Sequence, residues 1–211
     1  MGSYYYLAAQ LPYLSYGQKP PMSSAAFRDL AKQHLSSGDL KFFELVDMDP
    51  GDKKPLDKDQ KHGAGSELSY VESAPLLGCD FIDRWREWER ALRLNLAKQR
   101  AQKMAKEGTE TVPPPMFPTD AAAVAMKAVT ATESPLEAEL VLDKARWAVI
   151  DSLEGLDYFN RNTIYAYLLK LILLERHEVF NVEKGFNEYK SLYASILGSV
   201  QPGSSPAGEI K

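Results

Sequence analysis

Cysteine is nearly absent from this chain of 211 residues: Cys79 stands alone, so no internal disulfide can form. That usage fits a reducing compartment. With no His beside it, Cys79 reads as a small buried hydrophobe at the start of a helix rather than a nucleophile. Histidine is also scarce, and His34, His62 and His177 lie far apart without the spacing of metal ligands. There is no Gly-x4-Gly-Lys-Ser/Thr, and Gly63-Ala64-Gly65 is too short to cradle a phosphate, so nucleotide hydrolysis by this chain is not expected.

Long apolar runs are missing too. The most apolar stretch, Ala166 to Leu174, is interrupted by Lys170, whereas a bilayer-spanning helix needs roughly 20 apolar residues. No basic region followed by an apolar run opens the chain, so no secretory signal is read. The acidic stretch from Asp47 to Asp52 fails as a calcium loop. Counting from Asp47, the sixth place holds Asp52 instead of glycine, and the twelfth holds Lys58 instead of glutamate. These absences predict an intracellular, soluble chain that is not an enzyme, binds no cofactor or metal and has no direct membrane span.

What is present is ordinary in bulk and unusual in distribution. Apolar content of 45% and charged content of 26% match a folded protein. A net charge of −4 argues against nucleic acid as a partner. Five of the eleven tyrosines fall in the first sixteen residues, beginning with Tyr4-Tyr5-Tyr6 and continuing to Tyr13 and Tyr16. Three successive aromatics before Pro12 predict an extended strand, with Tyr4 and Tyr6 on one face and Tyr5 on the other. Such a segment either clasps the helical body or offers an aromatic patch to a partner.

Beyond it the pattern is helical. Pro12, Gly17, Pro20 and Pro21 make a turn-rich connection, and Ser23-Ser24 and Ser36-Ser37 each offer an N-cap to a short helix. Phe81, Trp85, Trp88, Leu92 and Leu96 mark one face of a long amphipathic helix from Asp80 to about Lys106. Its charges place acids first and bases last, as the helix dipole prefers. They read as a solvated, self-stabilised face, as a contact for an acidic protein or, third in order, as a contact for nucleic acid. Thr119-Asp120 caps an alanine-rich helix, and Pro135 opens the next over Leu136 to Leu153. The stretch around Ile164 to Leu174 is apolar nearly all round, as suits the middle of a bundle. A last helix is predicted around Phe186 to Leu197.

The expected fold is mostly α: a multi-helix bundle of two lobes with a short extended or β N-terminal segment. Residues 1–22 form that segment. A first lobe spans 23–107 with a mobile loop at 47–66, and a proline-rich linker spans 108–119. A second lobe covers 120–200, and 201–211 is a disordered tail.

Several segments together resemble a known group. Tyr4-Tyr5-Tyr6-Leu7-Ala8-Ala9-Gln10-Leu11-Pro12-Tyr13-Leu14, with Lys19-Pro20-Pro21-Met22-Ser23 behind it, resembles a poorly characterised bacterial family encoded among V-type ATPase subunits. So does Phe81-Ile82-Asp83-x-Trp85-x-x-Trp88-Glu89-x-x-Leu92-Arg93-x-Asn95-Leu96-Ala97-x-x-Arg100-Ala101. Asn95 through Arg100 is similar to an Asn-x4-Arg pattern of the helical funnel subunit of V-type ATPases, the d subunit of the eukaryotic enzyme. Ser134-Pro135-Leu136-Glu137 with Leu142-Asp143 resembles one of its helix starts, and Asp157-x-x-Asn160 one of its turns. Tyr165 and Tyr167 stand where a second Asn-x4-Arg copy would carry arginine.

This resemblance implies an all-helical, non-catalytic component of a rotary ion-transporting complex. It would be cytoplasmic and peripheral to the inner membrane, linking the central stalk to the membrane rotor ring. The partner-binding residues it suggests are Tyr4, Tyr6, Arg93, Asn95, Arg100, Asp157 and Asn160. A helical adaptor or regulatory protein of an unrelated complex has the same sequence character.

Overall fold

The computed structural model describes residues 4–49, 76–104, 112–130, 134–179, 190–193 and 195. Among them the chain is helical throughout its regular structure: α1 (Tyr5–Gln10), α2 (Ser24–Lys32), α3 (Ser37–Leu45), α4 (Asp80–Lys103), α5 (Ala121–Thr130), α6 (Pro135–Glu154) and α7 (Arg161–Val179). Residues 190–193 are helical as well. The architecture is a mostly α helical bundle. The predicted tail at 201–211 and most of the loop at 47–66 lie outside the described residues, as does most of the last predicted helix.

The N-terminal segment differs from the strand expected of it. Tyr4 is the N-cap of α1, and Leu11 closes the helix in an extended conformation, as the residue before a proline prefers. The aromatic run favoured a strand, but Tyr4, Leu7 and Leu11 recur at helical spacing and point inward together. Tyr4 and Leu7 are buried, and Leu11 packs against the core. Tyr5 and Tyr6 are both exposed, so Tyr4 and Tyr6 do not share a face.

Local chemistry sets the other helix starts. The Ser23 hydroxyl accepts from Ala26 N–H, and the Ser36 hydroxyl from Asp39 N–H, each satisfying one orphan donor of a first turn. Thr119 Oγ1 accepts from Ala121 N–H ahead of α5. Pro135 occupies the first turn of α6, where its missing N–H costs nothing. At the other end of α6, Gly155 has φ 78°, a left-handed conformation open to glycine, and turns the chain into the 156–160 loop.

The long helices pack in a defined sense. α4 packs on α5 and α6, α6 on α7, and α7 on α2. Trp88 bonds Asp120 just before α5, and Lys103 reaches Val129 near its end, so α4 and α5 run in the same direction. Residues 112–120 lead into α5 beside the first half of α4, and Met116 N–H donates to Glu87 on the way. Arg146 meets Glu89 while Glu139 meets Arg100, which makes α6 antiparallel to α4. Lys170 meets Glu154 and Arg176 meets Glu139, so α7 is antiparallel to α6. Packing thus crosses the proline-rich link: one hydrophobic cluster runs from Tyr4 to Leu174.

At its centre lies α7, where Ile164 to Leu169 are buried on every side. Aromatic rings fill the space around it. Tyr165 lies against Phe43 and Phe81, and Tyr167 against Phe27. Tyr165 donates to the Asp39 carbonyl and Tyr167 to the Pro12 carbonyl, so each phenol tip is satisfied where it meets the core edge. Burial raises both phenols, Tyr167 to about 12.

The first half of α4 departs from a solvated charged face. Asp83, Arg86, Glu87, Glu89 and Arg90 are buried along with the Trp85 and Trp88 side. Charges can be buried only when paired. Glu87 holds Arg90 through both its oxygens, Glu89 holds Arg146, and Asp83 accepts from the N–H groups of Leu77, Gly78 and Cys79. Cys79 is buried at the N-cap of α4, and that burial raises its thiol.

Candidate functional site

Two exposed surfaces lie at opposite ends of the bundle, and most of the residues that the sequence singled out belong to one or the other. A helix of 24 residues separates them, a length of about 36 Å at 1.5 Å per residue.

The first end is aromatic. Tyr4 N–H donates to the Phe159 carbonyl at 2.7 Å, and the Tyr5 ring lies 4.5 Å from that of Phe159. This joins α1 to the loop between α6 and α7. Tyr6 is 71% exposed beside the His34 ring, and Leu156 at the loop tip is 91% exposed. Tyr5, Tyr158 and Phe159 complete an outward-facing apolar surface. Exposed apolar side chains clustered this way mark interaction surfaces more often than singly scattered ones do.

Beneath that surface the phenol of Tyr4 donates to Asp39, which also receives Arg161 at 3.1 Å and the Ser36 hydroxyl. Burial opposes ionisation of Asp39. The hydrogen bonds from Tyr4, Arg161 and Ser36, with the Arg161 charge, nevertheless hold its carboxyl below the usual range. Asp157 accepts from Phe159 N–H and Asn160 from Thr163 N–H, so these two residues shape the loop and start α7. Tyr4, Tyr6, Asp157 and Asn160 are therefore brought to one end. Tyr4 anchors that end, Asp157 and Asn160 form it, and Tyr6 presents it.

The other end is cationic. Arg100, Lys103 and Lys127 are exposed near the ends of α4 and α5. Arg93 sits between the two ends, bound to Asp49 at 2.6 Å and to Glu89 at 3.0 Å. It belongs to a continuous alternation of charge, Asp49–Arg93–Glu89–Arg146–Asp143, that crosses from the segment after α3 through α4 to α6. Asn95 spends its amide on the Ala91 carbonyl of its own helix.

A cleft of about 340 Å³ opens between α4, residues 117–120 and α6. Its polar groups are engaged locally: Asp120 accepts from Trp88, Arg84 pairs with Asp80, and Ser152 donates to the Val149 carbonyl. Arg84 also stacks over Phe117. Such a cleft offers shape without converging recognition groups. Among the described residues, no group of three His, Cys, Asp or Glu is placed to hold a metal ion. Nor is any described helix long and apolar enough to cross a membrane.

Sequence reasoning missed Tyr5, Leu156, Tyr158 and Phe159 as members of the aromatic end. The 4–7–11 spacing could have assigned Tyr5 outward, but nothing in the loop sequence places it beside α1. No family model, curated protein or solved structure matches this chain.

Proposed function

We propose that this chain is a non-catalytic component of a bacterial V-type ATPase, equivalent to the helical funnel that the eukaryotic enzyme builds from its d subunit. In this reading it is cytoplasmic and peripheral to the inner membrane, and it links the central stalk to the membrane rotor ring. The observation that carries the reading is the pair of chemically distinct ends on one bundle: exposed Tyr5, Tyr6, Tyr158 and Leu156 at one, Arg100, Lys103 and Lys127 at the other. A connector needs two separate contact surfaces held at fixed distance and no reacting groups. Tyr and Arg are suitable anchors for such contacts.

The resemblance of its segments supplies the identity of the complex, and those segments meet in space. The Tyr4-Tyr5-Tyr6 segment docks on the Asp157-x-x-Asn160 turn, and the Trp-rich helix pairs with the helix that begins at Pro135. The buried Glu89–Arg146–Asp143 group supports the same reading by fixing how α4 and α6 sit on one another.

Affinity purification of the tagged chain from its native host tests the proposal. Catalytic, stalk and ring proteins of a rotary ATPase are expected among the captured species. Their absence under conditions that preserve the assembled ATPase refutes the assignment.

A further inference from the structure

We infer that the cationic end binds an acidic amphipathic helical segment of a partner protein. Arg100 is loosely held: its guanidinium lies 3.9 Å from Glu139, whose other oxygen takes Arg176 at 2.9 Å. One carboxylate thus serves two arginines, and Arg176 holds the shorter contact. The Arg100 side chain stays 59% exposed, with donors to spare. Lys103 reaches across to the Val129 carbonyl at 3.4 Å, within one turn of Met126 and Lys127 on α5. Lys127 makes no ion pair among the described residues.

Two large apolar side chains flank these cations. Met104, at the end of α4, is 65% exposed, and Met126 on α5 is exposed as well. Methionine is unbranched and polarizable, so it adapts to the apolar face of a docked helix. Cations beside exposed methionines complement a segment with carboxylates along the edge of an apolar stripe.

A nucleic acid is the poorer fit. Glu137 and Glu139 lie at the same end and repel phosphates, and a phosphate backbone gives Met104 and Met126 nothing apolar to cover. The charge of the whole chain is −4, so the positive character is local.

The inference deepens the connector reading and rests on it for the existence of a partner at this end. The full chain is titrated with a fluorescent synthetic helix bearing leucines at i, i+3, i+4 and i+7 and glutamates alongside. A matched helix with lysine for glutamate and a short DNA duplex serve as comparisons. Binding of the acidic helix is expected, weakened by added salt and weakened about tenfold or more by Arg100→Glu with Lys103→Glu. Met104→Ser with Met126→Ser is expected to weaken it several-fold. Circular dichroism is expected to show both variants folded, because the substituted side chains are exposed.

No binding, equal binding of the lysine helix, indifference to charge reversal, or tighter binding of the duplex overturns the inference. Peptide binding without capture of ATPase proteins removes the complex and keeps the surface. Capture without peptide binding removes this surface and keeps the complex.

Discussion

Arg146 donates from Nε and Nη2 to the two oxygens of Glu89, at 3.2 and 3.1 Å, across 57 positions of sequence. Both side chains are buried, and Asp143 and Arg93 extend the contact on either side. The pair fixes which turn of α6 meets which turn of α4. A shift by one turn breaks the two-bond contact between the helices and leaves Glu89 only Arg93, and Arg146 only Asp143, each on its own helix. Buried ion pairs contribute little net stability against apolar replacements, yet leaving one partner alone is costly.

Arg146→Met is therefore expected to destabilise the fold by about 3–5 kcal/mol, because Glu89 stays buried with its main partner removed. Adding Glu89→Leu is expected to recover part of that loss, giving a coupling of at least ~1 kcal/mol in a double-mutant cycle. Urea unfolding of the four proteins measures it, and additive losses contradict the register-fixing role.

The clasp at Tyr4 predicts acid sensitivity. Asp39 is held below its ordinary value of 3.8, so its contacts stabilise the fold above that pH and are lost as pH falls through the lowered native value. Asp39→Asn is expected to lower the melting temperature near neutral pH, and the difference from wild type is expected to shrink below pH 3.8. Melting curves over an acid series decide the point. A gap that persists at low pH assigns the loss to packing.

Alkali acts through the buried phenols, one of which, Tyr165, bonds the Asp39 carbonyl. Tyr165 and Tyr167 are raised above the ordinary 10.0 by burial, Tyr167 to about 12, so neutral phenols favour the fold below pH 10. That contribution fades as pH rises through the raised values. Absorbance titration is expected to show a late tyrosinate phase, from Tyr165 and Tyr167, that coincides with unfolding. Tyr167→Phe, which also deletes the bond to Pro12, is expected to cost about 1 kcal/mol.

Surface and clasp separate cleanly at the N-terminus. Tyr5→Ser with Tyr158→Ser is expected to change stability by no more than about 0.5 kcal/mol each, because both rings are exposed. Leu7→Ala, in the same helix but fully buried, is expected to cost about 2–4 kcal/mol. Capture of partners from the native host is expected to fall with the first pair. Unchanged capture takes the aromatic end out of the binding function.

The helical body is legible in the sequence because local signals agree there. Ser23 and Ser36 cap their helices as side-chain chemistry demands, Pro135 starts α6, and the all-apolar stretch at Ile164 to Leu174 lies at the centre. The opening tyrosines misled because β propensity reports packing on a pleated surface. The chain offers Tyr4 and Leu7 a pocket that suits a helix instead. The charges of α4 misled in the same way. The pairs Glu87–Arg90 and Glu89–Arg93 follow from helical spacing, but the further partners that let Glu89 and Glu87 be buried, Arg146 and the Met116 N–H, come from distant segments.

By itself, then, the sequence determined an all-helical body, its caps and its buried central helix, since those depend on residues within a few turns of one another. Tertiary structure alone decided that Tyr4 is an anchor and Tyr6 a surface. It also decided that Asp157 and Asn160 stand beside the tyrosines while Arg100 stands at the far end. Helix direction and register set those distances, and both are fixed by long-range packing and by pairs such as Glu89 with Arg146, which no local pattern encodes.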